Sequence, residues 1–235
     1  MRLAAILLSA TVVGTALPAA AHPGHHEADG ERSASPFVGR YDGSSFETYV
    51  AMVVLGDGTF EWVLSVGALD MRSKGKWVER DGVIHLTTLP KPVPAEFRLI
   101  GLVEQSGDGG VPVEVKAIGP NGKPFTDAET VVECANGARL FGFVAGSDAY
   151  YEGYEPDECD APAAVTVRVM VYDAQSPRYD LYKLGWQPGQ ALKVEFLPND
   201  IGVLDLTGMH GTLEEGVLTF DGPLGRQTMR KLAGE

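Results

Sequence analysis

The strongest constraint in this chain is a side-chain period of two. Phe60, Trp62, Leu64 and Val66 alternate with Glu61, Val63 and Ser65. Val165, Val167, Val169 and Val171 alternate with Thr166, Arg168, Met170 and Tyr172, and Leu192, Val194 and Phe196 alternate with Lys193 and Glu195. Successive side chains of a strand point to opposite faces, so each run buries one face of a sheet. Trp62 is therefore expected inside and its neighbour Glu61 outside. Between the runs stand Gly56-Asp57-Gly58, Asp81-Gly82, Asn121-Gly122, Asn136-Gly137 and Asp221-Gly222. Asp-Gly and Asn-Gly supply the positive φ that two-residue hairpins require.

Strands are predicted at 48–55, 59–66, 74–79, 83–88, 96–104, 111–118, 130–135, 138–145, 164–172, 178–184, 191–197, 202–207, 210–214, 217–221 and 226–232. No window of a dozen residues carries a 3.6-residue period. Short helical turns fit only Ala68–Lys74 or Asp173–Tyr182. The fold class is all-β: an antiparallel, hairpin-rich barrel, a sandwich, or both, with little helix outside the leader.

The leader is residues 1–21. Arg2 is followed by the apolar run Leu3–Val13 and by a small-residue end, Ala19-Ala20-Ala21. That is the n-region, h-region and Ala-x-Ala pattern of a secretory signal peptide, with cleavage expected between Ala21 and His22. The apolar run is too short to span a bilayer well, and Pro18 breaks a helix. No cysteine lies near the cut, so a lipoprotein anchor is not expected. A periplasmic or secreted protein follows, with no membrane span in the mature chain. Export also decides the two cysteines: in an oxidising compartment Cys134 and Cys159 are expected to form one disulfide across the acidic loop between them.

Residues 22–36, rich in His, Gly, Ser and charge, read as a flexible tail. Two weak boundaries follow, at Gln105–Gly110 and at the long loop Gly146–Pro162. They divide the rest into an N-terminal β-unit of 37–104 and a C-terminal β-unit of 111–235, with a single larger domain as the alternative. Gly39-Arg-Tyr41, Met52, Leu55, Asp57-Gly-Thr-Phe60, Gly75-Lys-Trp77 and Ile84-His-Leu86 follow one another in a pattern of paired hairpins. This stretch, 37–88, resembles the opening of small exported lipocalin-like barrels of the NlpE N-terminal-domain type. The resemblance implies a barrel that holds a ligand or meets an envelope partner. This chain lacks that family's lipobox and Cys-x-x-Cys. Val113–Pro124 resembles the first hairpin of transthyretin-like sandwich modules. Neither resemblance carries a catalytic residue across.

Acids outnumber bases, 32 to 19, for a net charge of -13, a field that repels nucleic acid. The sharpest chemistry is at the expected mature terminus. His22, with its free amine, His25 and His26 offer nitrogen donors for Cu(II) or Zn(II). An N-terminal His resembles the histidine brace of copper monooxygenases, but Pro23 follows directly and no second brace His can be placed. The bland alternative is a solvated linker. Asp148–Asp160 carries six carboxylates among three tyrosines, in no EF-hand spacing, and reads as a solvated acidic loop or a contact surface. Ser73-Lys-Gly-Lys76 matches Ser-x-x-Lys, yet it sits in a strand where the Lys cannot turn back onto the Ser. His85 and His210 each sit alone in or beside a strand and read as structural. Trp62, Trp77 and Trp186 read as core.

Three functions therefore stand at this point. The leading one is a non-enzymatic exported β-protein that binds a small ligand or an envelope partner. The second is Cu or Zn handling by His22, His25 and His26. The third is a hydrolase using carboxylates that the sequence alone does not pair.

Overall fold

The computed structural model describes residues 35–106, 111–145, 148–151, 158–222 and 225–233. The leader with its Ala21–His22 junction, the tail histidines His22, His25 and His26, and residues 152–157 of the acidic stretch lie outside them. Seventeen strands and one α-helical turn are found among the described residues.

The first five strands are β1 (Gly39–Asp42), β2 (Thr48–Val54), β3 (Thr59–Val66), β4 (Leu69–Arg80) and β5 (Val83–Thr88). Then come β6 (Glu96–Glu104), β7 (Glu114–Ile118), β8 (Glu129–Cys134), β9 (Arg139–Ala145), β10 (Asp148–Tyr151) and β11 (Pro162–Val169). Next are β12 (Ala174–Gln175), β13 (Tyr179–Asp180), α1 (Leu181–Leu184) and β14 (Gln190–Leu197). The last three are β15 (His210–Glu214), β16 (Val217–Gly222) and β17 (Gly225–Lys231).

The two ends of this series make one closed antiparallel barrel in the order β1-β17-β16-β15-β5-β4-β3-β2. Its seam pairs Tyr41 with Lys231 and Asp42 with Arg230. The barrel thus takes strands from both sides of the 105–110 boundary, and the middle of the chain is an insertion between β5 and β15. An eight-stranded barrel is just wide enough for side chains to fill. Tyr41, Met52, Phe60, Trp62, Trp77, Ile84, Leu218, Phe220 and Met229 fill this one, none more than 9% exposed. The register is the expected one: Trp62 is buried and Glu61 exposed. Leu64 is only half-buried and Val66 is exposed, because the end of β3 runs past the packed lumen.

The insertion is a sandwich. One sheet has the order β6-β14-β7, and the other has β10-β9-β8-β11-β12, with β13 on β11. Val132, Val165 and Val167 of the second sheet share a core with Phe97, Val115, Leu192, Val194 and Phe196 of the first. Phe196 sits between Phe97 and Phe125, with ring centroids at 4.7 and 4.5 Å. The β7–β14 pair is parallel, a departure from the antiparallel expectation. The chain between them, β8 to β13, is a crossover long enough to bring β14 back in the same direction.

Several elements differ from the sequence reading, some through local turn and cap chemistry and some through long-range contacts. Leu69–Lys74 is the first half of β4 and not a helical turn. Gly67, at φ +56°, makes the tight turn that pairs Val66 with Leu69. The strand expected at 178–184 stops at Asp180. That side chain accepts from the Lys183 N–H and caps α1, and Gly185 ends the turn at φ +69°. The strand expected at 164–172 ends at Val169 in a 3₁₀ turn, Met170–Tyr172. Asp148–Tyr151, expected in an irregular loop, pairs with β9 as β10. Residues 202–207 form turns and a single parallel bridge, Val203 to Arg72, in place of a strand. Ser35 and Pro36, expected in the tail, are tied to the barrel: the Ser35 hydroxyl donates to Glu79 and the Pro36 carbonyl accepts from Lys231 Nζ.

Candidate functional site

The barrel and the sandwich are joined where the chain leaves β5 and where it returns to β15. The returning segment lies against the first half of β4. Arg72 N–H donates to the Gly202 carbonyl at 2.8 Å, and Leu204 N–H donates to the Arg72 carbonyl at 2.9 Å. Leu206 then packs into the barrel core. The outgoing and returning segments are tied together by Asp200, whose carboxylate accepts from the Val93 N–H at 2.9 Å.

These crossings leave a cleft of about 450 Å³ against the barrel wall. Glu61, Val63, Arg72 and Lys74 line it from β3 and β4, and Leu89, Pro90, Asp200 and Val203 from the crossing segments. All four wall residues occupy the outward phase of their strands, because Phe60, Trp62 and Ser73 take the inward phase. Among the described residues neither Arg72 nor Lys74 has an acidic partner within 4.0 Å. The cleft therefore sets two cations, Arg72 and Lys74, and two carboxylates, Glu61 and Asp200, beside the apolar residues Val63, Leu89, Pro90 and Val203. Glu61 is the cross-strand partner of Lys74, and Asp200 is already engaged by the Val93 N–H. A volume of a few hundred Å³ with apolar walls and a few convergent polar groups is what small-ligand sites share.

No family model matches the chain, and no curated protein or solved structure is significantly similar to it.

The other residues named from the sequence fall as follows. Cys134 and Cys159 are bonded, with Cα atoms 5.5 Å apart. The bond sits beside a small network: Asn136 Nδ2 donates to the Glu158 carbonyl, and Asp160 accepts from the Asn136 and Ala161 N–H groups. Asp160 thus holds the β8–β9 hairpin to the incoming β11. Ser73 faces inward and shares a hydrogen bond with Thr88, away from Lys76. Trp77 Nε1 donates to the Leu55 carbonyl at 2.8 Å and Trp186 Nε1 to the Gln190 carbonyl at 2.7 Å, while Trp62 Nε1 is buried without an acceptor among the described residues. Asp70 accepts from the Ser65 hydroxyl, its partner across the hairpin.

His85 and His210, read singly as structural, are Cα partners on β5 and β15. Their spacing in the sequence carries no trace of this, since it depends on where the insertion returns to the barrel. The junction cleft is invisible for the same reason: Asp200 and Val203 reach Arg72 only in three dimensions.

Proposed function

We propose that this protein is an exported, non-enzymatic binding protein that takes a small amphipathic anion in the cleft between the barrel wall and the segments that cross to and from the sandwich. The cleft carries the reading: Arg72 and Lys74 form no ion pair within 4.0 Å among the described residues and stand beside the apolar residues Val63, Leu89, Pro90 and Val203. Of the two carboxylates in the lining, Asp200 is held by the Val93 N–H and Glu61 lies across the ladder from Lys74. The packed lumen supports a site on the wall over one inside, because core side chains occupy the space a lipocalin-like ligand would use. The closed eight-stranded barrel supports kinship with small exported lipocalin-like barrels of the NlpE type. Export is supported by the Cys134–Cys159 bond, and no helix among the described residues is long and apolar enough to cross a membrane.

The test is a thermal-shift titration of the full chain with octanoate and decanoate. The intact protein is expected to melt at higher temperature with either compound. The Arg72→Gln/Lys74→Gln variant is expected to keep its own melting temperature and lose the response. Equal shifts in both proteins, or no shift in either, would overturn the cleft as the ligand site.

A further inference from the structure

The fold brings two histidines from distant parts of the chain to one place on the barrel wall. His85 and His210 lie on adjacent antiparallel strands, with ring centroids 6.2 Å apart and ring planes 29° from parallel. Both point away from the lumen. Ile84 and Leu86 take the inward phase of β5, and Gly211, facing Phe220, takes that of β15. The ladder brings the two rings close. Leu86 N–H donates to the Met209 carbonyl at 2.9 Å, and the Leu86 carbonyl accepts from Gly208 N–H at 3.1 Å. The inter-strand hydrogen bonds therefore fall on Leu86, and His85 and His210 are a non-hydrogen-bonded pair, the kind whose side chains stand closest.

The row continues on the far side of His210, where its partner on β16 is Asp221. Imidazole, imidazole and carboxylate thus stand in line across three neighbouring strands. The residues that end this line are Val78, paired with His85, and Arg226, paired with Asp221. Arg226 competes for Asp221, and the Gly208 carbonyl lies 3.5 Å from His210 Nδ1, which leaves Nε2 of that ring for an ion.

We propose that His85 and His210 chelate a divalent transition ion of the zinc class, with Asp221 as the third donor. Imidazole nitrogen and carboxylate oxygen are ligands such ions accept. Zinc–nitrogen bonds are about 2.0–2.1 Å, and a ring centre lies about 1 Å behind its nitrogen, so two rings at a tetrahedral angle on one ion have centroids about 5 Å apart. The observed 6.2 Å is about 1 Å longer, a gap that binding would have to close by rotating the two side chains on their strands. Among the described residues no three His, Cys, Asp or Glu side chains already converge as a metal site. The ion would gather Asp221 from its place beside Arg226, which makes this an exchanging site and not a structural staple. Three protein donors also leave a coordination position open to water or to a ligand. This site shares no residue with the junction cleft or with His22, His25 and His26, and it stands or falls independently of the proposed function.

The test uses the full chain with His22, His25 and His26 replaced by Ser, so that the tail imidazoles do not compete. Calorimetric titration with Zn(II) is expected to give one ion per chain, and the His85 and His210 ring signals are expected to move together in the NMR spectrum. His85→Gln and His210→Gln are each expected to weaken binding by about tenfold or more, and Asp221→Asn by less. Thermal unfolding of each variant shows that the barrel is intact. Zinc affinity unchanged by both histidine substitutions would overturn the proposal. So would loss of all binding once the tail histidines are replaced, which would assign the metal to the tail.

Discussion

The hydroxyls of Ser73 and Thr88 lie 2.9 Å apart, buried, at the point where the barrel hands the chain to the sandwich. Thr88 Oγ1 also accepts the Leu206 N–H at 2.7 Å, and the Thr88 N–H donates to Thr207 Oγ1 at 3.1 Å. One side chain at the end of β5 thus holds the outgoing strand, the wall of β4 and the returning segment together. Buried backbone groups are costly to leave unpaired, which explains a polar residue at 2% exposure in an apolar core.

Thr88→Val keeps the shape of the side chain and removes the acceptor. It should destabilise the protein by about 2 kcal/mol, because the Leu206 N–H is left buried and unpaired. Ser73→Ala should cost about 1 kcal/mol or less, since Thr88 keeps its bond to Leu206. Urea denaturation of the two single variants and the double variant measures this, and the double should cost less than the sum.

The two lumen tryptophans should respond differently to trimming. Trp77 Nε1 donates to the Leu55 carbonyl, which also accepts from the Gly58 N–H, so Trp77→Phe loses one hydrogen bond as well as opening space. Trp62 Nε1 has no acceptor among the described residues, so Trp62→Phe loses packing alone. Trp77→Phe should therefore carry a hydrogen-bond penalty of about 1 kcal/mol that Trp62→Phe does not. Trp62→Ala should cost about 3–5 kcal/mol, as a large side chain is lost from a packed lumen. Equilibrium unfolding followed by far-UV circular dichroism reads both comparisons.

Removing the cross-link should weaken the sandwich. Cys134 and Cys159 are 25 residues apart, and closing a loop of that length is worth about 3 kcal/mol in the chain-entropy picture. The Cys134→Ser/Cys159→Ser variant should lose about that much stability. Amide exchange should rise in β8, β9 and β11 more than in β2 and β3, which lie in the barrel. Mass spectrometry of the intact protein should find no free thiol.

The alkaline limb of the stability curve should carry the mark of Tyr41. Its phenol is buried and donates to the Phe37 carbonyl at 2.6 Å, and burial pushes its pKa up to about 12. The fold holds the neutral form, while the unfolded chain ionises near the ordinary value of about 10. The stabilisation is therefore complete below pH 10 and is lost as pH rises towards 12. Burial raises Tyr179 as well, and it adds to the same loss. Melting temperature measured between pH 8 and 12 should fall across that window, and Tyr41→Phe should flatten part of the fall.

Local chemistry makes much of this protein legible in its sequence. The alternation around Trp62 specifies an inward and an outward face, because a strand has a side-chain period of two whatever it pairs with. The turn pairs Asp81-Gly82 and Asn136-Gly137 mark hairpins, because positive φ is costly for most residues. Gly82 at +75° and Gly137 at +87° carry it. The two cysteines specify their own bond, there being one way to pair them. Asp180 runs against the pattern for an equally local reason: alternation suggests a strand there, and a capping carboxylate followed by Gly185 stops it.

What only the tertiary structure decided is which hairpins meet. The seam from Tyr41 to Lys231, the pairing of His85 with His210 and the approach of Val203 to Arg72 all join residues separated by the inserted sandwich. Hairpin patterns describe neighbours a few residues apart, and closure of a barrel is a long-range event set by strand number, tilt and the packing of the lumen. Both candidate sites, the junction cleft and the histidine row, are made of such long-range pairs. They lie out of reach of a periodicity read along the chain, because no local energy depends on them until the first and last strands are side by side.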